Sequence, residues 1–412
     1  MSSSKGRNLN IVKAHNLSAI LLRLLSSKMV SRVELAEELS LSSTTITNLA
    51  AELLEDEIIV EEEIEAPAKR SRVGRPRRML RLVPSARYAI GIHIGIGMFR
   101  VAVTDLLANI ISNQTAQFDL QSPPEDVIKE IAWVIDKVIQ QSGVDRNRII
   151  GIGVGASGLV DTFTGVNVIA SRLNWKDVPI RALLESHLNL PICVENNVRS
   201  MALGEAFFGI GRSVDVLAFV YGRIGVGAGF VVNGKLFRGS GAGAGEIGHT
   251  VILGQAGEIC SCGNTGCLET LISEPVFLKQ ANLLAERYPD SLLAKYLDGQ
   301  ATDNPIEQIF AAARDGDQNT RNMIEERSCY LGIALANLVN IMNPELIILG
   351  GMFAQGQDLI MPVAEAQMRA TSFAGLGENV KIAPTQFGWR AGVIGAASLA
   401  LTSFFYQPEE GN

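Results

Sequence analysis

Between Gly245 and Glu269 the chain reads GEIGHTVILGQAGEICSCGNTGCLE, the stretch that most narrows what it can fold into. His249, Cys260, Cys262 and Cys267 fall within nineteen residues and include three of the chain's five cysteines. Three thiolates and one imidazole complete a tetrahedral shell for zinc with no position left for a reacting water, so the set predicts a structural Zn2+ rather than a catalytic one. Gly263 and Gly266 punctuate the cysteines as a tight wrapping loop requires. The plainer alternative is three buried cysteines beside a satisfied core histidine. Two carboxylates flank the ligands: Glu246 precedes His249 by three residues, sharing its face on a helical turn, and Glu269 follows Cys267 by two. Carboxylates and an imidazole facing one pocket suit a polyhydroxylated ligand. Glu246 acting simply to orient the histidine fits the residue types equally well.

With 412 residues at 47% hydrophobic and 19% charged, the chain has material for two or three cores and is not a disordered polymer. Its first residues, MSSSKGRNLN, contain no apolar signal-peptide core, and no apolar run reaches membrane-spanning length. Cysteines gathered as metal ligands, with Cys193 and Cys329 isolated, fit a reducing compartment better than a disulfide framework. A cytoplasmic protein with no membrane insertion is expected.

The net charge of −7 is unevenly spread, because residues 1–82 carry +2 and the remainder −9. Apolar Leu17, Ile20, Leu21, Leu24 and Leu25 recur at helical spacing from Val12 to Ser26, followed by SRVELAEELS with Ser31 as a plausible N-cap. After the turn Leu41–Ser42, a third helix buries Ile46, Leu49, Ala50, Leu53 and Leu54. Helix, tight turn, helix and the strand-like IIVEEEIEA predict a winged helix-turn-helix over 1–64, mainly α. The third helix would then offer Ser43, Thr44, Thr45, Thr47 and Asn48 to base edges of operator DNA. A small dimerisation module with a polar face is the alternative. That helix has no Lys or Arg in its first two turns, so phosphate contacts must come from elsewhere. Residues 66–81 hold seven basic residues and no acid. A basic linker over 65–82 follows, whose Arg72, Arg75 and Arg77 enter a narrow minor groove as an AT-hook does, or simply solvate a connector.

From Tyr88 the pattern changes to strands, glycine turns and helices. YAIGIHIGIG and FRVAVTD read as a hairpin, and PEDVIKEIAWVIDKVIQQSG as an amphipathic helix. IIGIGVGA reads as a strand, and LGIALANLVNIMNPELIILGG as a buried helix running into another. Alternating elements of this kind predict α/β sheets.

GEIGH followed by CSCGNTGCLE resembles the signature of the ROK family of sugar kinases and repressors. So do GIHIGIG at 91–97, GASGLVD at 155–161, VENN at 194–197, GVGAGFVVNGKLFRG at 225–239 and NPELIILGG at 343–351. In chain order they cover essentially everything after residue 83. The resemblance implies a two-lobed α/β fold of the actin-like, sugar-kinase (ribonuclease H-like) type. Its first lobe would comprise 83–195 with 385–412, and its second, carrying the zinc loop, 196–384. It further implies effector contacts at Gly158, Ser171, Asn174, Asn196, Asn197, Glu246, His249 and Glu269. Arg172 departs from the family's Pro-Asn-Leu run.

Three further departures bear on catalysis. His93 stands where the kinases resembled here hold a carboxylate for magnesium and ATP, and an imidazole is a poor ligand for a hard cation. Asn197 replaces the catalytic Asp of the Glu-Asn-Asp run, and a carboxamide is no base near neutral pH. Ile224 replaces the phosphate-loop hydroxyl. The expectation is therefore a non-enzymatic, sugar-responsive repressor, similar to the N-acetylglucosamine, glucose and xylose repressors. Its expected partners are operator DNA, a sugar or sugar-phosphate effector and a second copy, as a homodimer or dimer of dimers. The alternatives are an ATP-dependent sugar kinase fused to a DNA-binding domain, and a repressor governed by a protein of a sugar transport system.

Overall fold

The computed structural model describes residues 9–64, 77–241, 243–298 and 304–408. The chain divides into two compact units, one of Met1–Ala156, Thr162–Glu195 and Ala396–Asn412, the other of Ser157–Asp161 and Asn196–Gly395. Among the described residues no helix is long and apolar enough to cross a membrane.

The first unit opens with α1 (Leu9–Ser26), β1 (Val30–Ser31), α2 (Arg32–Glu38) and α3 (Ser43–Glu55). Their apolar faces meet in a small core of Ile20, Leu24, Leu35, Ile46, Ala50 and Leu53. Ser31 and Glu34 form a reciprocal capping box at α2, and Ser42 caps α3 through the Thr45 N–H. Strands β2 (Ile59–Ile64) and β3 (Arg77–Leu82) complete a three-stranded sheet of order β1-β3-β2. β2 and β3 pair antiparallel from Ile59 opposite Leu82 to Ile64 opposite Arg77.

This corrects the expected linker over 65–82. RRMLRL alternates with period two, burying Leu80 and Leu82 on the core side, so 77–82 is half of a hairpin. Arg72 and Arg75 lie outside the described residues. The expected wing strand over IIVEEEIEA therefore has a partner.

The larger sheet of this unit comes from β4 (Tyr88–Gly95), β5 (Met98–Asp105), β6 (Ile110–Gln117), β7 (Ile149–Ala156) and β11 (Ile192–Asn196), in the order β11-β7-β4-β5-β6. β8 (Leu159–Asp161) belongs to the second unit, while β9 (Val166–Ala170) and β10 (Trp175–Val178) pair as an antiparallel hairpin in the first. β4 is buried almost throughout, as its apolar run interrupted by His93 requires, whereas edge strand β6 alternates between half-buried and exposed positions. α4 (Pro124–Ser142) buries Val127, Ile131, Ile135 and Val138, each worth about 1.5–3 kcal/mol of transfer free energy. α5 (Ile180–Glu185) completes this part.

The second unit carries a five-stranded sheet of corresponding strand order. α6 (Asn197–Phe208) leads into β12 (Val216–Gly222), β13 (Val226–Val232) and β14 (Lys235–Phe237). Then come α7 (Glu269–Ile272), α8 (Glu274–Arg287), α9 (Leu292–Asp298), α10 (Pro305–Arg314) and α11 (Gln318–Met342). β15 (Leu346–Gly351), α12 (Met352–Gln355), α13 (Gln357–Thr371) and β16 (Lys381–Pro384) follow. Strand order is β14-β13-β12-β15-β16. β12–β13 and β13–β14 are antiparallel, and β12–β15 and β15–β16 parallel.

α14 (Ala391–Leu401) gives its first five residues to the second unit and the rest to the first, where a π-helical turn, Thr402–Tyr406, continues it. The expected first lobe of 83–195 with 385–412 therefore shifts. Residues 385–395 go with the second unit because Gly395 packs so closely on α6 that a Cβ would lie 2.6 Å from Ser200 and Met201 backbone. Residues 157–161 go there too. In the first unit the descending half of α14 meets β7 backbone to backbone, where a Cβ on Gly153 would fall 1.9 Å from the Ala396 carbonyl.

Candidate metal and effector site

The loop after β14 returns to β13 through close backbone contacts. Ala228 donates its N–H to the Gly245 carbonyl at 2.7 Å, and Gly245 itself has φ +98 with no room for a Cβ beside Ala228 O. A short 3-10 turn, Ile247–His249, follows, with Glu246 at its start and exposed. Cys267 and Val251 pair as an isolated bridge, as do Ile259 and Thr265, so the cysteine segment folds back on the histidine segment.

The side chains of His249, Cys260, Cys262 and Cys267 converge, with all four candidate ligand atoms within 4.8 Å of one another. This is the one such grouping found among the described residues. His249 Nδ1 lies 3.6 Å from Cys260 Sγ, and Cys262 Sγ lies 3.7 Å from Cys267 Sγ. Cys260 and Cys267 are buried and Cys262 is exposed. Burial pushes the Cys267 thiol up to about 12, whereas the Asn264 backbone N–H holds that of Cys262 below its ordinary value. A metal ion here would take the thiolate forms and displace their protons.

Glu269, at the head of α7, is buried and accepts the Val226 N–H at 3.1 Å through Oε2. A Cβ on Gly225 would lie 3.0 Å from that oxygen, so the turn between β12 and β13 is glycine where it meets Glu269. Ile224 occupies this turn, and the Arg223 N–H donates to the Gly225 carbonyl at 2.9 Å.

Asn196 and Asn197 stand at the start of α6. Asn196 caps the helix by accepting the Val198 and Arg199 N–H groups at 2.9 and 3.2 Å, and its Nδ2 donates to the Gly158 carbonyl at 2.9 Å. Asn197 Oδ1 also accepts the Val198 N–H, while its Nδ2 donates to Ser157 Oγ at 3.1 Å. Gly158, Asn196 and Asn197 thus form one hydrogen-bonded knot in the second unit, which also contains Glu246, His249 and Glu269. Ser171 and Asn174 belong to the first unit, on an exposed 3-10 turn that Asn174 ends at φ +57. His93 lies in that unit too, buried on β4 opposite Arg100 of β5 and Gly155 of β7.

On α3, Ser43, Thr44, Thr47 and Asn48 are exposed and Thr45 is half-buried. The hydroxyls of Thr45 and Thr47 are engaged locally, by Ser42 Oγ at 2.8 Å and by the Ser43 carbonyl at 2.8 Å. Hairpin arginines are paired with carboxylates: Arg78 with Glu61 and Glu63, Arg81 with Glu62, and Arg32 of α2 with Glu61. Sequence reasoning missed Arg199, fully buried on α6, whose Nη1 donates to the Ala244 carbonyl at 3.1 Å. Its signal was the single cation in the mostly apolar run NVRSMALGEAFF.

A family model described as ROK family matches residues 89–403. The xylose repressor of Caldicellulosiruptor bescii is 30% identical over 403 residues, covering 98% of this chain and 99% of that protein. A glucokinase of Halalkalibacterium halodurans is also 30% identical, over 315 residues that make up 76% of this chain and 95% of the enzyme. Among solved structures, a ROK family transcriptional regulator described as a homologue of the E. coli MLC protein superposes with a TM-score of 0.78. It is 26% identical and covers 96% of this chain and 97% of its own.

Proposed function

This chain belongs to the ROK family, and we propose that it acts as a sugar-responsive, DNA-binding transcriptional repressor of carbohydrate uptake or catabolism genes. The observation that carries the reading is Asn197. It stands where the kinases resembled above hold a base, and its carboxamide is committed to the Val198 N–H and to Ser157. An amide can hold a sugar hydroxyl and cannot deprotonate it. His93 and Ile224 support the same conclusion at the metal and phosphate positions.

In this proposal α1–α3 and the β2–β3 hairpin are a winged helix-turn-helix, with Ser43, Thr44, Thr45, Thr47 and Asn48 reading bases. Arg72, Arg75 and Arg77 supply minor-groove contacts, and the repressor is a homodimer on paired half-sites. The sugar is held by Gly158, Asn196, Asn197, Glu246, His249 and Glu269, all of the second unit.

The ion is zinc. Ideal tetrahedral coordination puts sulfurs about 3.8 Å apart and sulfur and nitrogen about 3.5 Å apart; the Cys262–Cys267 and His249–Cys260 separations are 3.7 and 3.6 Å, and all four atoms lie within 4.8 Å of one another. Its chemistry would be structural, tying the cysteine segment to the segment that carries Glu246.

The test is fluorescence anisotropy of the protein on DNA from its own upstream region, titrated with free sugars and sugar phosphates. Release or tightening by one sugar is expected. Tight binding indifferent to every sugar would sink the sugar-gated form of the proposal in favour of control by a transport-system protein. The similarity to a glucokinase favours a second reading, a kinase with a fused DNA-binding domain, which requires ADP release from sugar and Mg-ATP.

A further inference from the structure

We propose that Arg199 is a positioning residue, holding the backbone that leads into Glu246 and His249 in register with the head of α6. The proposal rests on the sugar-responsive reading for its ligand and on the geometry alone for the anchoring.

Arg199 is the third residue of α6 and among the largest fully buried side chains. Removing a guanidinium from water is unfavourable unless its donors are used, so a buried arginine marks something held. Its Nη1 reaches the Ala244 carbonyl at 3.1 Å, and its own backbone N–H is held by Asn196. One residue therefore joins the cap that contains Asn196 and Asn197 to the start of the metal loop.

The loop beyond Ala244 has little slack. A Cβ on Gly245 would lie 2.0 Å from Ala228 O, and one on Gly248 2.2 Å from Val226 O, so 245–248 lies flat against β13. β13 in turn packs on Arg199, whose Cα would be 2.9 Å from a Cβ on Gly229. α6, β13 and the loop thus meet at this arginine. Losing it leaves the Ala244 carbonyl without that donor and frees the loop to move relative to Asn197. Glu246 and His249 then no longer face a sugar at the same spacing as the α6 cap, and the metal loses the anchor on the histidine side.

The experiment uses full-length, metal-loaded protein in three forms: wild type, Arg199→Met and Arg199→Lys. It measures metal release to a chromogenic chelator, affinity for the sugar identified with wild type, and operator affinity without sugar. Arg199→Met should release metal about tenfold to a hundredfold faster and bind sugar about tenfold more weakly, with sugar-free operator affinity unchanged. Arg199→Lys, whose ammonium can still donate to one carbonyl, should recover most of both. Metal release at the wild-type rate in both variants overturns the proposal, as does equal impairment in both, which a packing role alone would give. If Arg199→Met does not fold, Arg199→Gln, too short to reach Ala244, takes its place in the comparison. A wild type that binds no sugar counts against the functional reading, and the metal-release comparison still decides Arg199.

Discussion

At Asn197 both ends of the carboxamide are occupied by main chain and Ser157, so the side chain is oriented before any ligand arrives. Replacing it with Asp supplies a carboxylate in that place but restores neither a metal ligand at 93 nor a hydroxyl at 224. Asn197→Asp should therefore show no sugar-dependent ADP release in a coupled assay, and turnover would mean that the other two positions are not limiting. Glu205 offers a different test. Burial raises its carboxyl above the ordinary range, against the opposing hydrogen bonds from Thr385 and the Ile210 N–H. A raised folded-state value favours the protonated acid, so its contribution is present below the ordinary carboxylate range and is lost as pH rises through the raised value. Glu205→Gln, which stays neutral, should melt progressively higher than wild type as pH increases across that window; a constant offset in Tm would contradict this. At this scale the convergence of His249, Cys260, Cys262 and Cys267 was legible because spacing and residue type alone restrict such a set. Arg199 was not, because its partner is a backbone carbonyl 45 residues away that no side-chain pattern reports.

Elements read well where periodicity was strong, and the C-terminal half of α11 was plain from its apolar run. β3 was hidden because its charge suggested a linker while the alternation of Leu80 and Leu82 with Met79 and Arg81 encoded a strand, and pairing with β2 decided between them. The ladder also changes what those arginines can do. Arg78 and Arg81 face Glu61, Glu62 and Glu63, so each must leave a carboxylate to reach a phosphate. Arg75→Ala should lower the slope of log affinity against log salt by about 0.9, whereas Arg78→Ala should change it little. Equal slopes for the two variants would remove the minor-groove role proposed for the basic segment. In the second unit, Asp317 caps the 25-residue helix α11, accepting from Thr320 N–H and Leu293 N–H at 3.0 and 3.2 Å. Asp317→Ala should cost about 1–2 kcal/mol, visible as a lower denaturant midpoint at unchanged slope.

Over the whole molecule, both units build a five-stranded sheet in which three antiparallel strands are joined by a parallel neighbour, β7 beside β4 in the first and β15 beside β12 in the second. The resemblance anticipated two sheet-bearing lobes, while the assignment of both 157–161 and 385–395 to the second unit depended on tertiary contacts. The candidate metal cluster lies in the second unit and the candidate DNA-reading helix in the first. Chelation, or Cys262→Ser, should therefore abolish the sugar response while leaving sugar-free operator affinity intact; loss of operator binding would mean the ion supports the whole fold. Another long-range connection is covalently simple and temporally demanding. Ser18 of α1 hydrogen-bonds the Tyr406 carbonyl, 388 residues later, and the Tyr406 hydroxyl donates to Leu106 O at 2.7 Å. On a ribosome adding roughly 5–20 residues per second, that partner emerges about 20–80 s after Ser18. For that interval α1–α3 exist as a nascent candidate DNA-binding head with its clasp still unsynthesised, so a chain stopped before Thr402 would keep the candidate reading helix and lose the fastening that ties it to the rest of the first unit.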